Sequence, residues 1–234
     1  MIIGYIRKVG IIFLLVFAVK AFSAEYIVLI HGINDTSRGF RKMEKHFSAD
    51  YKVININYPS LKYSIPDLSD KYLKPVMDKI ANTDTINIVT HSMGAIILRE
   101  YFKDNHPTNI NRIVMISPPN QGSEVADFFH NFFLYKWIYA KAGSSLSQAG
   151  LKNLILPDSL GYDCGIIAGT GTLLPFFSIF IKGKDDGKIS ENRTKLPDMK
   201  DFITLHYSHD FIAKRKKTIK YTEHFLKYGK FKDN

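Results

Sequence analysis

The sequence predicts an α/β fold with a mostly parallel central sheet of about six strands and helices on both faces. Two patterns carry this prediction. Short apolar runs alternate with segments of helical spacing, an order typical of parallel sheets. Most of these runs are almost continuously apolar, as expected for strands covered on both faces. A length of 234 residues, with 45% hydrophobic and 23% charged residues, fits one globular domain.

The elements of this fold can be assigned in chain order. Six strands are expected, at Tyr26–Ile30, Tyr51–Asn57, Thr85–Thr90, Arg112–Ser117, Cys164–Ala168 and Phe202–His206. Four helices are expected around them, at Phe40–Phe47, Ile65–Ala81, Met93–Lys103 and Phe211–Tyr228. The last helix carries apolar residues at helical spacing, starting with Phe211, and lysines on its other side.

Residues 1–24 have the three parts of a secretory signal. Two basic residues precede the apolar run Val9–Val19, which is short for a membrane span, and the small-residue exit Ala21–Ala24 follows. We expect cleavage after Ser23, with cleavage after Ala24 or an uncleaved anchor as the alternatives. In each case the domain at 25–234 is expected to be exported.

The chain is basic, with a formal net charge of +10. Without the first 24 residues it has 29 basic and 22 acidic residues, a net charge of +7, and part of the excess lies at Lys214–Lys217. We interpret this run as a solvated helix face, with attraction to an anionic membrane surface or substrate as the alternative. The sequence has no nucleic-acid-binding motif, and it indicates no cofactor or metal.

The chain has a single cysteine, Cys164, which cannot form an intrachain disulfide. Because it opens an apolar run, we expect a small buried side chain in a strand rather than a nucleophile.

A long insertion is predicted at about 119–163, because no strand pattern occurs there. It contains the aromatic block Phe128–Trp137, and a second apolar block follows at Leu173–Ile181. We interpret both as a lid or wall suited to an acyl chain. The alternatives are ordinary core packing or, around Trp137, contact with a membrane surface.

The strongest chemical motif is Thr90-His91-Ser92-Met93-Gly94, between an apolar strand and a helical pattern. Such a strand-to-helix turn lifts a serine clear of the sheet, where it can act as a nucleophile. The motif departs from G-x-S-x-G because Thr90 stands at the first glycine position, whereas Gly94 keeps the second. The alternative role for Ser92 is a helix N-cap.

A second motif, His31-Gly32, ends the apolar strand at Ile30. A loop of this kind presents backbone N–H groups to a developing oxyanion, together with the residue after the nucleophile. The expected donors are the backbone amides of Ile33 and Met93.

These two motifs are followed by Gly183–Ile189 and Ser208-His209-Asp210. In this order, the four resemble those of the small bacterial lipases and esterases of the α/β-hydrolase superfamily. The resemblance covers essentially the whole chain after residue 24 and implies a minimal α/β-hydrolase fold, without the two antiparallel strands of larger members. It implies a serine hydrolase that cleaves carboxylic esters through an acyl-enzyme on Ser92. The expected partner is a small-molecule or lipid ester.

The resemblance also implies the remaining catalytic residues. It places the acid at Asp186, directly before Gly187. The alternatives are that Asp185 is the acid, or that Asp-Asp-Gly is a plain turn without a catalytic role. The histidine is expected at His209, beyond the last strand, rather than at His206. His31 precedes Ser92 in the chain, contrary to the family order, and is interpreted as structural.

Three other interpretations stay open at this point. Hydrolysis and acyl transfer to an alcohol or amine use the same triad, and the same fold can serve a non-catalytic binding protein. A metal site on His206 and His209 would need further ligands, for which the sequence shows no cysteine or carboxylate cluster.

Overall fold

The computed structural model describes residues 23–129, 145–154, 156–173, 178–179 and 181–233. Its centre is a six-stranded parallel sheet in the order β2-β1-β3-β4-β5-β6. The strands are β1 (Glu25–Ile30), β2 (Lys52–Ile56), β3 (Thr85–His91), β4 (Ile110–Ile116), β5 (Asp163–Gly169) and β6 (Asp201–Leu205). The predicted fold class is therefore confirmed, and each predicted strand lies within two residues of its observed bounds.

Helices connect these strands and cover the sheet. They are α1 (Arg41–Phe47), α2 (Ile65–Leu68), α3 (Lys74–Met77), α4 (Met93–Asp104), α5 (Glu124–Phe129), α6 (Gln148–Leu154), α7 (His209–Ile212) and α8 (Lys216–Tyr228). Short 3-10 turns lie at Ser37–Phe40 and Asn192–Thr194.

Two apolar cores lie on opposite faces of the sheet, because successive strand side chains alternate between faces. In β1, Val28 and Ile30 pack in the core that contains α2, α3 and α4. Ile27 and Leu29 pack in the core that contains α1 and α8. This double burial explains why β1 is apolar from Tyr26 to Ile30.

Two helix predictions need correction. The helix expected at Ile65–Ala81 ends at Met77 and is interrupted by a π turn at Ser69–Leu73. Pro75 has no N–H for the usual bond to the residue four positions earlier, and a wider turn accommodates this loss.

The helix expected at Phe211–Tyr228 is two helices, α7 and α8, joined by three residues. Phe211, which was expected on the apolar face, is 42% exposed, whereas Ile212 and Phe225 are fully buried. Nothing in the sequence explains the break.

Cys164 is fully buried in β5, as its apolar surroundings predicted, and burial raises the pKa of its thiol. Several other predictions fall outside the described residues: the signal segment apart from residues 23 and 24, most of the block Phe128–Trp137, and 174–177 and 180 within the second block. The described parts of the insertion contain α5 and α6. No helix among the described residues has the length and apolarity needed to cross a membrane.

The sheet order places the predicted site. After β1 the chain moves outward to β2 and then returns to β3 on the other side of β1, so the direction of strand addition reverses between β1 and β3. Open α/β sheets form a crevice outside the carboxyl ends of the strands at such a point. Gly32 follows β1 there, and Ser92 follows β3.

Candidate active site

Ser92 lies in a strained turn between β3 and α4. Its backbone has φ of 52° and ψ of −126°, a region that non-glycine residues rarely adopt and that costs about 1–3 kcal/mol. Two hydrogen bonds hold the turn: the Ser92 N–H donates to the Ile116 carbonyl, and the Ala95 N–H donates to the Ser92 carbonyl, both at 3.0 Å. The strain and its support match the sharp turn that the motif predicted.

Two glycines allow the turn to meet the loop after β1. A Cβ on Gly94 would overlap the backbone oxygen of Ile30 and lie 2.7 Å from that of His31. A Cβ on Gly32 would lie 2.9 Å from the Ser92 Cβ. Both residues must therefore be glycine for α4 and the loop after β1 to approach so closely. Thr90, at the other position where glycine is usual, is fully buried in β3.

His209 contacts both Ser92 and Asp186. It is the first residue of α7, its Nε2 is 2.9 Å from the Ser92 Oγ, and its Nδ1 is 2.8 Å from the Asp186 Oδ2. All three side chains are buried. A carboxylate only accepts hydrogen bonds, so these partners assign the proton to Nδ1 and leave Nε2 free to accept the Ser92 hydroxyl.

Of the two adjacent aspartates, Asp186 is the one that contacts His209. Its second oxygen, Oδ1, accepts the N–H groups of Lys188 and Ile189 at 3.1 and 3.0 Å. Asp185 instead stabilises the turn, because its Oδ1 accepts the Ser178 hydroxyl and the Gly187 N–H.

Asp186 is ionised in this environment. Burial raises its pKa, but this effect is outweighed by the charge and hydrogen bond of His209, the neighbouring Ser117 hydroxyl and the Ile189 N–H. The pKa of Asp186 therefore lies below its ordinary value, so the carboxylate can hold the imidazole in one tautomer.

Further contacts join the loops that carry Asp186 and His209. The His209 N–H donates to the Asp186 carbonyl at 2.9 Å, and the Lys188 ammonium lies 2.6 Å from the Asp210 carboxylate. His209 and Asp186 are thus linked by a backbone hydrogen bond and flanked by an ion pair.

The loop after β1 is organised by His31 and Tyr58. Their rings stack with centroids 3.9 Å apart, and the Tyr58 hydroxyl donates to the His31 carbonyl. The His31 Nδ1 donates to the Gly32 carbonyl at 2.9 Å, while its Nε2 faces the Tyr58 N–H at 3.4 Å. Burial lowers the pKa of His31, so the ring is a neutral scaffold, consistent with the structural role expected from the sequence.

The two predicted oxyanion donors are the backbone amides of Ile33 and Met93. Ile33 follows Gly32 in the loop after β1. Met93 is the first residue of α4, where a backbone N–H has no acceptor within its own helix. Their role as donors stays a prediction.

His206 is separate from this group. It is exposed, and its Nδ1 faces the Thr170 carbonyl at 3.1 Å. Among the residues that the structure describes, no group of three or more His, Cys, Asp or Glu side chains could hold a metal ion.

Three residues that contact the candidate site were not predicted from the sequence. His91 lies in the motif around Ser92, and a polar residue that ends a buried strand directly before Ser92 is a pattern from which its role could have been predicted. Tyr58 and Ser117 each follow a strand, and no local pattern distinguishes them from ordinary loop residues. Like Ser92, Ser117 has a positive φ, which is 44° at Ser117.

A family model described as the alpha/beta hydrolase fold matches residues 25–164, which is more than half of the chain. The chain belongs to the α/β hydrolase fold family. The membership of the α/β-hydrolase superfamily predicted from the sequence is thus confirmed. No curated protein matches this family member in sequence.

Solved structures similar to this α/β hydrolase family member include several enzymes. The mature lipase BlEst2 of Bacillus licheniformis has a TM-score of 0.70 at 20% identity, covering 88% of this chain and 92% of that one. A metagenomic carboxyl esterase has a TM-score of 0.66 at 17% identity, covering 89% and 75%. The phospholipase PlaB of Legionella pneumophila has a TM-score of 0.61 at 15% identity, covering 80% and 53%. At these identities the likeness shows the fold alone.

Proposed function

We propose that this chain is a serine hydrolase of carboxylic esters that works through an acyl-enzyme on Ser92. The observation that carries the proposal is the buried chain of hydrogen bonds from Ser92 through His209 to Asp186, at 2.9 and 2.8 Å. Serine nucleophiles are activated by this arrangement of a base and an orienting carboxylate. A non-catalytic binding protein has no need of such a buried chain of hydrogen bonds.

The geometry supports a two-step acyl transfer. The His209 Nε2 takes the Ser92 proton while Oγ attacks the ester carbonyl carbon, and Asp186 stabilises the imidazolium. The backbone N–H groups of Ile33 and Met93 stabilise the oxyanion. When the tetrahedral intermediate collapses, His209 gives the proton to the leaving alcohol. Water, deprotonated by the same histidine, then releases the acid from Ser92.

Exposed apolar side chains favour an ester with an apolar acyl group. Leu173 and Ile179 are 67% and 75% exposed and follow β5, whereas Phe211 follows β6. The carboxyl ends of parallel strands share one edge of the sheet, and the Ser178 hydroxyl donates to Asp185, next to Asp186, so these side chains lie near the same edge as Ser92. The names of similar solved structures, a lipase, a carboxyl esterase and a phospholipase, support an ester substrate in general, whereas the apolar acyl group is supported by the exposed side chains.

A panel of esters with graded acyl length, assayed with the wild type and Ser92→Ala, tests this proposal. We expect turnover that varies with acyl length and falls by about a million-fold in the variant, the scale at which a nucleophile is lost in this chemistry. Folded wild-type protein without turnover of any ester would contradict it. Analysis of products with added alcohols and amines separates hydrolysis, the expected result, from acyl transfer.

Export is part of the proposal. The signal pattern at residues 1–24 supports it, and the net charge of +7 on the remaining chain suits contact with anionic membrane surfaces. Mass measurement of the exported protein should give a new N-terminus at Ala24, whereas the intact mass in the membrane fraction would indicate an anchor.

A further inference from the structure

The imidazole of His91 lies beside the proposed base, although it belongs to the turn of the proposed nucleophile. It is only 6% exposed, and its ring centroid is 5.0 Å from that of His209. The His91 Nε2 is 3.0 Å from the backbone carbonyl oxygen of His209. This contact bridges 118 positions of the chain.

The partner of His91 determines its tautomer. A backbone carbonyl only accepts hydrogen bonds, so the proton must be on Nε2. Burial, together with the nearby charges of His209 and Lys188, lowers the pKa of His91 to about 3, while Asp186 and the His209 carbonyl act in the opposite direction. The ring is therefore neutral throughout the range in which a serine hydrolase works, and it is a fixed donor rather than a second base.

Packing leaves the ring little room to move. A Cβ on Gly32 would lie 3.3 Å from the His91 Nδ1, so the loop after β1 closes against that side of the ring. On its other side the ring meets His209. The backbone of His209 is thus held twice: its carbonyl accepts from His91, and its N–H donates to the Asp186 carbonyl.

The sheet order explains why such a tether is useful. Ser92 follows β3 and His209 follows β6, and β4 and β5 lie between these strands. Strand pairing therefore does not bring the two side chains together. The loop after β6 must cross the ends of two strands, and α7, which begins at His209, has only four residues.

We propose that His91 is a positioning residue, whose Nε2–H holds the backbone of His209 so that its imidazole reaches Ser92 and Asp186 together. This inference rests on the proposed function, because positioning has a kinetic consequence only if His209 is the base. It predicts that the residue before the nucleophile must donate a hydrogen bond from the position of an imidazole Nε2.

Two amide variants test this requirement. The amide nitrogen of glutamine can occupy the position of Nε2, so His91→Gln keeps the donor, whereas the shorter asparagine in His91→Asn cannot reach the carbonyl. We expect His91→Asn to lower kcat, counted per titrated active site, by about tenfold to a hundredfold, with KM unchanged within about twofold. His91→Gln should retain kcat within about threefold. Ile97→Val, a buried change in α4, the helix that follows His91 and Ser92, controls for lost stability and should lower Tm without affecting kcat.

Two results would overturn the inference: wild-type kcat in His91→Asn, or an equal loss of kcat in both variants. If His91→Asn does not fold, the wild type decides the matter by ¹⁵N NMR of its imidazoles. An Nε2–H tautomer for His91 with slow proton exchange is expected, and an Nδ1–H tautomer would contradict it. Failure of the proposed function looks different, because the wild type itself would then hydrolyse no ester and would not react with a fluorophosphonate.

Discussion

Burial fixes the protonation of two histidines around the site, His31 and His91. Both have a lowered pKa because the desolvated imidazole disfavours its charged form. Each neutral ring orders backbone, His31 through the Gly32 carbonyl and His91 through the His209 carbonyl. The same burial makes folding sensitive to pH, since an unfolded chain exposes these rings to water.

The pH dependence of stability has a predictable sign for His91. Its pKa is about 3 when folded and about 6.5 when unfolded, so the unfolded state binds more protons between these values. The free energy of unfolding should therefore rise with pH by about 1.4 kcal/mol per unit in this range, through this group alone. The contribution is complete above the unfolded pKa and is lost as the pH falls toward 3.

Urea unfolding of the wild type and His91→Gln between pH 4 and pH 7 measures this contribution. The wild-type curve of stability against pH should be steeper than that of the variant by about 1.4 kcal/mol per unit between pH 4 and pH 6. Parallel curves would show that His91 titrates normally in the folded protein and would refute its burial as a neutral ring.

The role of Gly94 can also be tested by a single substitution. In Gly94→Ala the new methyl group meets the backbone oxygens of Ile30 and His31, which cannot move aside like flexible side chains. We expect a loss of about 1–3 kcal/mol in unfolding free energy, as for other overpacked sites, and a fall in kcat of at least tenfold as Ser92 shifts.

Gly161→Ala is the matched control for this change. A Cβ at Gly161 meets nothing within 4 Å, but its φ of 71° makes alanine unfavourable there by about 1–2 kcal/mol. The two variants should therefore lose comparable stability, and only Gly94→Ala should lose kcat. Equal kcat in both would contradict the proposed contact between α4 and β1.

Among the elements, the segment that carries Asp186 is bonded to the start of the insertion. Arg193 forms ion pairs with Glu124, at 3.2 Å, and with Asp127, both in α5. The Ser123 hydroxyl donates to the Lys188 carbonyl at 2.8 Å, and the Ser190 N–H donates to Glu124 at 3.1 Å. Movement of α5 would therefore be transmitted to the turn that holds Asp186.

Arg193→Met should lower the free energy of unfolding more than Lys188→Met does, and this comparison tests the connection. The first change leaves two partly buried carboxylates without their shared cation and should cost about 1–3 kcal/mol. The Lys188–Asp210 pair is more exposed, so its loss should cost less than about 1 kcal/mol and should be reduced further by salt. Urea midpoints at low and high salt give the comparison, and a larger effect of Lys188→Met would contradict this ranking.

The element scale also shows what local patterns can predict. The four central strands follow from apolar runs, because burial on both faces leaves few polar positions, whereas the edge strands β2 and β6 are only partly buried. The interruption of the helix after Ile65 is explained by Pro75. The apolar periodicity of this segment predicts one continuous helix because it does not take the proline into account. The break between α7 and α8 has no such cause, so the exposure of Phe211 could not be predicted.

At the scale of the whole molecule, sequence patterns identified which residue types form the site but not every contact between them. Motif order predicted Ser92 and His209 and favoured Asp186, and the structure brings these three together. The choice against Asp185 depends on the direction of each carboxylate in one turn, which composition and spacing do not encode. Tyr58 and His91 contact backbone carbonyls that the tertiary fold brings close, and no local sequence pattern predicts such contacts.

Intact-mass spectrometry after reaction with a fluorophosphonate shows whether Ser92 is the nucleophile. We expect one adduct per wild-type chain, mapped by peptide sequencing to Ser92, and none on folded Ser92→Ala. A folded wild-type protein without an adduct, or with its adduct on another residue, would contradict it.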